Sequence, residues 1–319
     1  YARAYADAGL GVGFCWSDWE IDGPLEINRA HEYACRCVRC RQNIPGIDDF
    51  VTFQRAIRQM RSFLQFDTYA QPLLARFPQA LVGNYAVYPN DGYRYWLDFF
   101  ETAAFPDEQP HLVDQRARYR AWYDDFPGTG YTYAMPVVYA WHWIFGAYEY
   151  ACTDYRWFRN MLLVATCAGR SAPAQVPVVA FVHKNPIAAP EGANQHVEPM
   201  SAWAYQELLW HMLLRGIDTF FVWCGGDESA EEVSLAHQVY AAAQEYGAFL
   251  DGGMPVCFDV PTDAGTVTSA LVLGDQALVR RTDFGGNAAP VEVLIGSRRC
   301  SVPAQPGRCQ LVDLGPGSR

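Results

Sequence analysis

Apolar positions along this chain fall into two alternating textures. Short runs rich in β-branched and aromatic residues end in polar ones, and longer stretches carry helical spacing. GVGFCWSDWE (11–20), ALVGNYAVYP (80–89), YAMPVVYAW (133–141), VPVVAFVHKN (176–185) and IDTFFVWCGGD (217–227) are of the first kind. Runs of this length and composition predict buried strands. Between them, FVTFQRAIRQMRSFLQFDTYAQPLLARF (50–77), DYRWFRNMLLVATCAG (154–169), SAWAYQELLWHMLLRG (201–216) and SAEEVSLAHQVYAAAQEYGAFL (229–250) predict helices. Strand then helix, repeated, predicts an α/β layer with parallel strands. Polar residues gathered at the strands' carboxyl ends favour a (β/α) TIM-like barrel with its site on that face. Five strands are too few to close one. The chain opens on Tyr, and YARAYADAGL reads as the tail of an amphipathic helix feeding a strand, so the expectation is that the remaining strands lie upstream of residue 1. The alternative is an open doubly wound sheet, but no Gly-rich phosphate loop follows any of the strands.

From residue 254 the helical period gives way to short alternating runs, MPVCFDV, TSALVLGDQALVRRTD, VEVLIGS and CQLVDLG, separated by Gly, Asn and Pro. This predicts a small all-β, sandwich-like domain over residues 254–319, following an N-terminally incomplete barrel domain over residues 1–253. With two Phe and no Trp or Tyr, the segment reads as a cover for the barrel's flank rather than a carbohydrate-binding module.

Composition narrows the function classes. The chain has 319 residues, 50% hydrophobic and 18% charged, which excludes a disordered acidic chain. No apolar run approaches the roughly 18 to 20 residues of a spanning helix, so no membrane partner is expected. A net charge of -11 repels phosphate backbones and anionic surfaces, which argues against nucleic acid. Ten cysteines are neither the density of a disulfide scaffold nor a cytosolic signature. The compartment therefore stays open, with secretion or a periplasmic location among the choices, as does the oligomeric state.

The sharpest chemical feature is Trp16-Ser17-Asp18-Trp19-Glu20, closing the first strand. A period of two puts Trp16, Asp18 and Glu20 on one side, with neighbours on that side roughly 6 to 7 Å apart. At that range the ionised form of one carboxyl raises the pKa of the other, so one residue type supplies an acid and a base. Flanking tryptophans make plain capping or Arg pairing a poorer explanation, because they remove solvation that only function or pairing restores. Aromatic residues recur at the other strand ends: Tyr85, Tyr88, Tyr139, Trp141 and Trp223. Singly each is ordinary packing; together they predict a cleft in which rings stack on sugars.

These residues, in this order, resemble the hyaluronidase-like glycoside hydrolases. Asp18-Trp19-Glu20 resembles the family's D-W-E, which implies Glu20 as proton donor and Asp18 as the group orienting the substrate's own acetamido nucleophile. LVGNYAVYP is similar to the family's G-[FY]-Y strand with a nearby Pro and implies a sugar contact for Tyr85. MPVVY is similar to P-S-x-Y and implies one for Tyr139. RGIDTFFVWCGGD is similar to the L-G-A-x-G-x-x-x-W-G segment and implies one for Trp223. The resemblance spans roughly residues 11–228. It departs in one extra residue before Pro89 and in Asp91-Gly92-Tyr93 where the family has Cys-Tyr-Asn. Hyaluronan is a polyanion, and a chain of -11 net charge favours another glycan as substrate.

A substrate without an acetamido group needs a second carboxylate, about 5 to 5.5 Å away for retention or about 6.5 to 9.5 Å for inversion. Asp227, Glu228 and Glu198 are the candidates, against a strong alternative of helix capping. His31, Cys35, Cys37 and Cys40 have spacing that fits either a structural zinc or one disulfide. No catalytic metal and no cofactor is expected. His142, His183 and Lys184 are weaker candidates for binding sugar hydroxyls. G-x-S-x-G, HExxH and Walker A motifs are missing from the sequence. The expected function is a glycoside hydrolase; the alternative is a noncatalytic carbohydrate-binding barrel.

Overall fold

Each of the five apolar runs contains a strand, and each pairs in parallel with a neighbour. The computed structural model describes residues 1–17, 31–84, 126–139, 152–173, 175–185, 200–223 and 229–315. The chain divides into two units, residues 1–135 with 173–177 and residues 136–172 with 178–319.

In the first unit, helix α1 (Ala2–Asp7) leads to β1 (Phe14–Ser17), which pairs with β2 (Leu81–Asn84). Between them lie α2 (His31–Arg36), α3 (Val38–Asn43), α4 (Phe50–Gln65), a π-turn (Phe66–Ala70) and α5 (Gln71–Leu74). Helix α4 starts where the Asp49 carboxylate accepts the Thr52 backbone N–H at 2.7 Å, satisfying one of the first-turn donors. The π-turn offsets the ladder by one residue, and Ala70 at its end is buried with Ala80, Val82, Phe126 and Ala134. Strand β2 is buried after its first residue, as expected, but β1 is not: Phe14 is 41% and Trp16 36% exposed. Among the described residues β1 has one strand neighbour, and the Tyr133 ring stacks on Phe14 at 4.9 Å. A Cβ at Gly83 would lie 2.7 Å from that Tyr133 ring, so glycine is what lets the ring lie flat on the pair.

The second unit is built on β3 (Val137–Val138), β4 (Val179–Val182) and β5 (Thr219–Val222), a parallel sheet in that order. Helix α6 (Thr153–Ser171) connects β3 to β4, α7 (Ala202–Leu213) connects β4 to β5, and α8 (Ser229–Ala243) and α9 (Gly247–Gly252) follow. Ser201 caps α7 by accepting the Ala204 N–H at 3.1 Å. Helix α7 is buried nearly all round, from Ala204 to Leu213, as expected of a helix without a polar face. Helix α6 meets the turn after α7 where a Cβ on Gly169 would lie 1.8 Å from the Arg215 carbonyl oxygen; only glycine allows that approach. Among the described residues the parallel strands form one two-stranded and one three-stranded sheet, and no closed barrel.

The all-β stretch comprises β6 (Met254–Pro255), β7 (Thr266–Leu273), β8 (Gln276–Asp283), β9 (Val291–Ile295), β10 (Arg298–Val302) and β11 (Cys309–Asp313). Its four-stranded antiparallel sheet runs β11-β8-β7-β6, beside a β9–β10 hairpin. The two-residue loops after β7 and β9 open on Gly274 and Gly296, both at φ 61°, the left-handed backbone that tight hairpins require.

This stretch packs on α7 through buried polar groups. Arg215 Nε donates to Ser269 Oγ at 2.7 Å, and Ser269 Oγ lies 2.7 Å from His211 Nδ1. His211 Nε2 lies 2.9 Å from Thr282 Oγ1, which donates to Glu207, itself paired with Arg280 at 2.6 Å. Thr282 gives its proton to Glu207, so His211 Nε2–H donates to Thr282, and the Ser269 hydroxyl, which accepts from Arg215, has its proton available for Nδ1. Burial, reinforced by the Arg215 and Arg280 charges, holds the His211 pKa well below the ordinary imidazole value and favours the neutral ring.

Candidate functional site

Strands β1 and β2 end in register, Ser17 opposite Asn84. The residues next in sequence are Asp18 and Tyr85. Asp18, Glu20, Tyr85, Tyr88, Trp141 and Asp227 lie outside the described residues, as do Glu198, Glu228 and His142. Trp16 is described: it pairs with Gly83 in the register and is half-exposed.

The candidate cluster among the described residues is at the carboxyl ends of β3, β4 and β5. Register makes it: Val138 pairs with Val182, and Val182 with Val222, so the next residues, Tyr139, His183 and Trp223, are neighbours along one sheet edge. The rings of Tyr139 and Trp223 stack at 5.5 Å with 20° between planes, although β4 separates their strands. The rings of His183 and Trp223 are T-shaped, with centroids 4.9 Å apart. Tyr139 is buried against this pair, while Trp223 is 39% exposed.

Behind His183 lies a carboxylate absent from the sequence expectations. Glu232, in the first turn of α8, is 1% exposed. Its Oε2 is 2.8 Å from His183 Nδ1, and its Oε1 accepts the Lys184 backbone N–H at 2.7 Å and the Tyr205 hydroxyl at 2.6 Å. Three donors replace the water a buried carboxylate loses. An acceptor-only carboxylate fixes the imidazole tautomer: Nδ1 carries the proton, and in the neutral ring Nε2 is an acceptor. At the rim, Lys184 Nζ reaches Glu231 at 3.4 Å. Glu231 is exposed, so this pair contributes little.

Glu232 and Tyr205 escaped the sequence reading because the contacts that define them join residues 49 and 27 positions apart. Two acidic residues in a helix's first turn look like ordinary compensation of the helix dipole. The one available signal was His183-Lys184 at a strand end, since a histidine there requires a partner.

The cysteine cluster assembles in part. His31 Nε2 is 3.4 Å from Cys35 Sγ and 2.7 Å from the Ile47 carbonyl, which holds the imidazole against backbone. Cys35, Cys37 and Cys40 are free thiols, and among the described residues no group of three His, Cys, Asp or Glu could hold a metal. Cys35 ends up in α2 and Cys40 in α3, with Cys37 at the cap between them. The Cys40 backbone N–H and thiol hydrogen-bond Cys37 and pull its pKa below the usual thiol value. Among the described residues no helix is long and apolar enough to cross a membrane.

No family model, no curated protein and no solved structure matches this chain.

Proposed function

We propose that this protein is a glycoside hydrolase of (β/α)-barrel type, with Glu20 as general acid, then base, and Asp18 as the orienting carboxylate. Tyr85 and Trp223 bind the sugar, and Tyr139, which the sequence suggested as a direct contact, supports the Trp223 ring from behind. The observation that carries the reading is the Tyr139–Trp223 pair: two aromatic residues 84 positions apart in the chain stack at 5.5 Å, with Trp223 open to solvent. Backed by Tyr139, the part-exposed Trp223 ring offers an apolar surface of the kind that the C–H face of a pyranose packs against. Its position at the carboxyl ends of parallel strands is where α/β folds carry their ligands. Asp18 and Glu20 follow directly on β1, so acid and base of one residue type stand next in sequence to another such strand end.

The test is hydrolysis of a polysaccharide and oligosaccharide panel with product analysis by mass. Glu20→Gln lowers turnover by about 10²- to 10⁴-fold with an unchanged thermal transition. Trp223→Ala raises KM by roughly tenfold through lost stacking. Full activity in Glu20→Gln would end the acid–base assignment. Binding across the panel without cleavage, insensitive to Asp18→Asn, would favour the noncatalytic carbohydrate-binding protein instead.

A further inference from the structure

Resting on the reading above, we propose that His183 touches the glycan and that Glu232 is its positioning residue. The pair selects sugars that present a hydroxyl beside the ring stacked on Trp223. With Nδ1 committed to Glu232 at 2.8 Å, the opposite ring nitrogen points away from the carboxylate. No hydrogen-bond partner of that Nε2 is present among the described residues. His183 is 8% exposed and lies T-shaped to the half-exposed Trp223, 4.9 Å between ring centroids, which puts the imidazole beside the ring on which a sugar would lie.

Glu232 also accepts from the Lys184 N–H and the Tyr205 hydroxyl, so the carboxylate is held in place independently of His183. What the imidazole alone gains is a fixed tautomer and orientation, which is how a carboxylate commonly prepares a histidine to meet a ligand. With Nδ1–H held by Glu232, Nε2 is the ring atom left to hydrogen-bond a sugar hydroxyl. A site built for one hydroxyl discriminates sharply against the sugar lacking it, because the buried ring nitrogen is then left unpaired.

The test uses the full chain carrying Glu20→Gln, so that binding is read without cleavage. It is titrated calorimetrically with the tetrasaccharides of β-1,4-linked N-acetylglucosamine, glucose, xylose and mannose. In that background His183→Asn keeps an amide donor near the Nδ1 position for Glu232 and removes Nε2, while His183→Gln restores a polar atom near Nε2. The Asn variant weakens binding of the best ligand by roughly 10- to 100-fold, and the Gln variant recovers most of it. Nitrogen-15 shifts of the imidazole show protonation at Nδ1 in the parent and a move toward Nε2 in Glu232→Gln, a change that a packing role would not produce. Undiminished binding in His183→Asn, or Nε2 protonated in the parent, overturns this inference and leaves the hydrolase reading standing. Absence of both binding and wild-type hydrolysis across the panel overturns both.

Discussion

At the residue scale, two buried histidines illustrate how environment assigns a role. His183 has one nitrogen tied to a carboxylate and lies near the surface, whereas His211 has both nitrogens within hydrogen-bond distance of hydroxyls and is fully buried. The second is a stability element with a pH signature. Because burial and two guanidinium groups hold its pKa well below the ordinary value, the unfolded chain takes up a proton near pH 6.5 while the folded one does not. The contribution of His211 is therefore complete above about pH 6.5 and is lost as pH falls below it, at about 1.4 kcal/mol per pH unit. Urea unfolding at pH 7 and pH 5 should show wild type losing roughly 2 kcal/mol more over that interval than His211→Gln. Equal losses in the two proteins would mean that the imidazole is protonated inside the fold.

At the element scale, periodicity was a sufficient guide wherever burial is one-sided or complete. All five parallel strands and three of the four long helices lie inside the runs that predicted them, because local spacing of apolar residues is what those elements are made of; α6 overruns its run by one residue at the start and two at the end. Short elements escaped: α2 and α3 bury none of their residues, and β10 reads RRCSV, with charges that obscure its alternation. Close contacts between elements were also invisible in sequence. Gly169 looks like a helix flaw, yet it is where α6 rests on the carbonyl of Arg215. Gly169→Ala should destabilise by about 2 to 4 kcal/mol, since backbone rather than a flexible side chain must move. A chemical-denaturation midpoint equal to wild type would show that the two helices can separate freely.

At the scale of the whole molecule, the all-β stretch is bound to the helices before it. Glu207 and His211 of α7 and the following Arg215 find their partners on β7 and β8 and at the carbonyls of Phe258 and Asp259. Removing everything after Gly253 would leave three buried polar side chains without those partners, and a buried charge stripped of its partner costs about 3 to 5 kcal/mol. The truncated chain should lack a cooperative thermal transition by circular dichroism. A sharp melt near the wild-type temperature would instead show that residues 136–253 fold without their β neighbours.

Sequence alone determined the order of strands and helices, the change of texture at residue 254, the acidic pair after β1 and the aromatic residues at the strand ends. Each is written in a window of a few residues, where spacing and side-chain type act directly on the backbone. Tertiary structure alone decided that Tyr139 and Trp223 share a stack, that Glu232 and Tyr205 stand behind His183, and that two large rings of β1 stay partly exposed. Those outcomes depend on which residues meet across tens of positions. That is set by sheet register and helix packing rather than by any local preference.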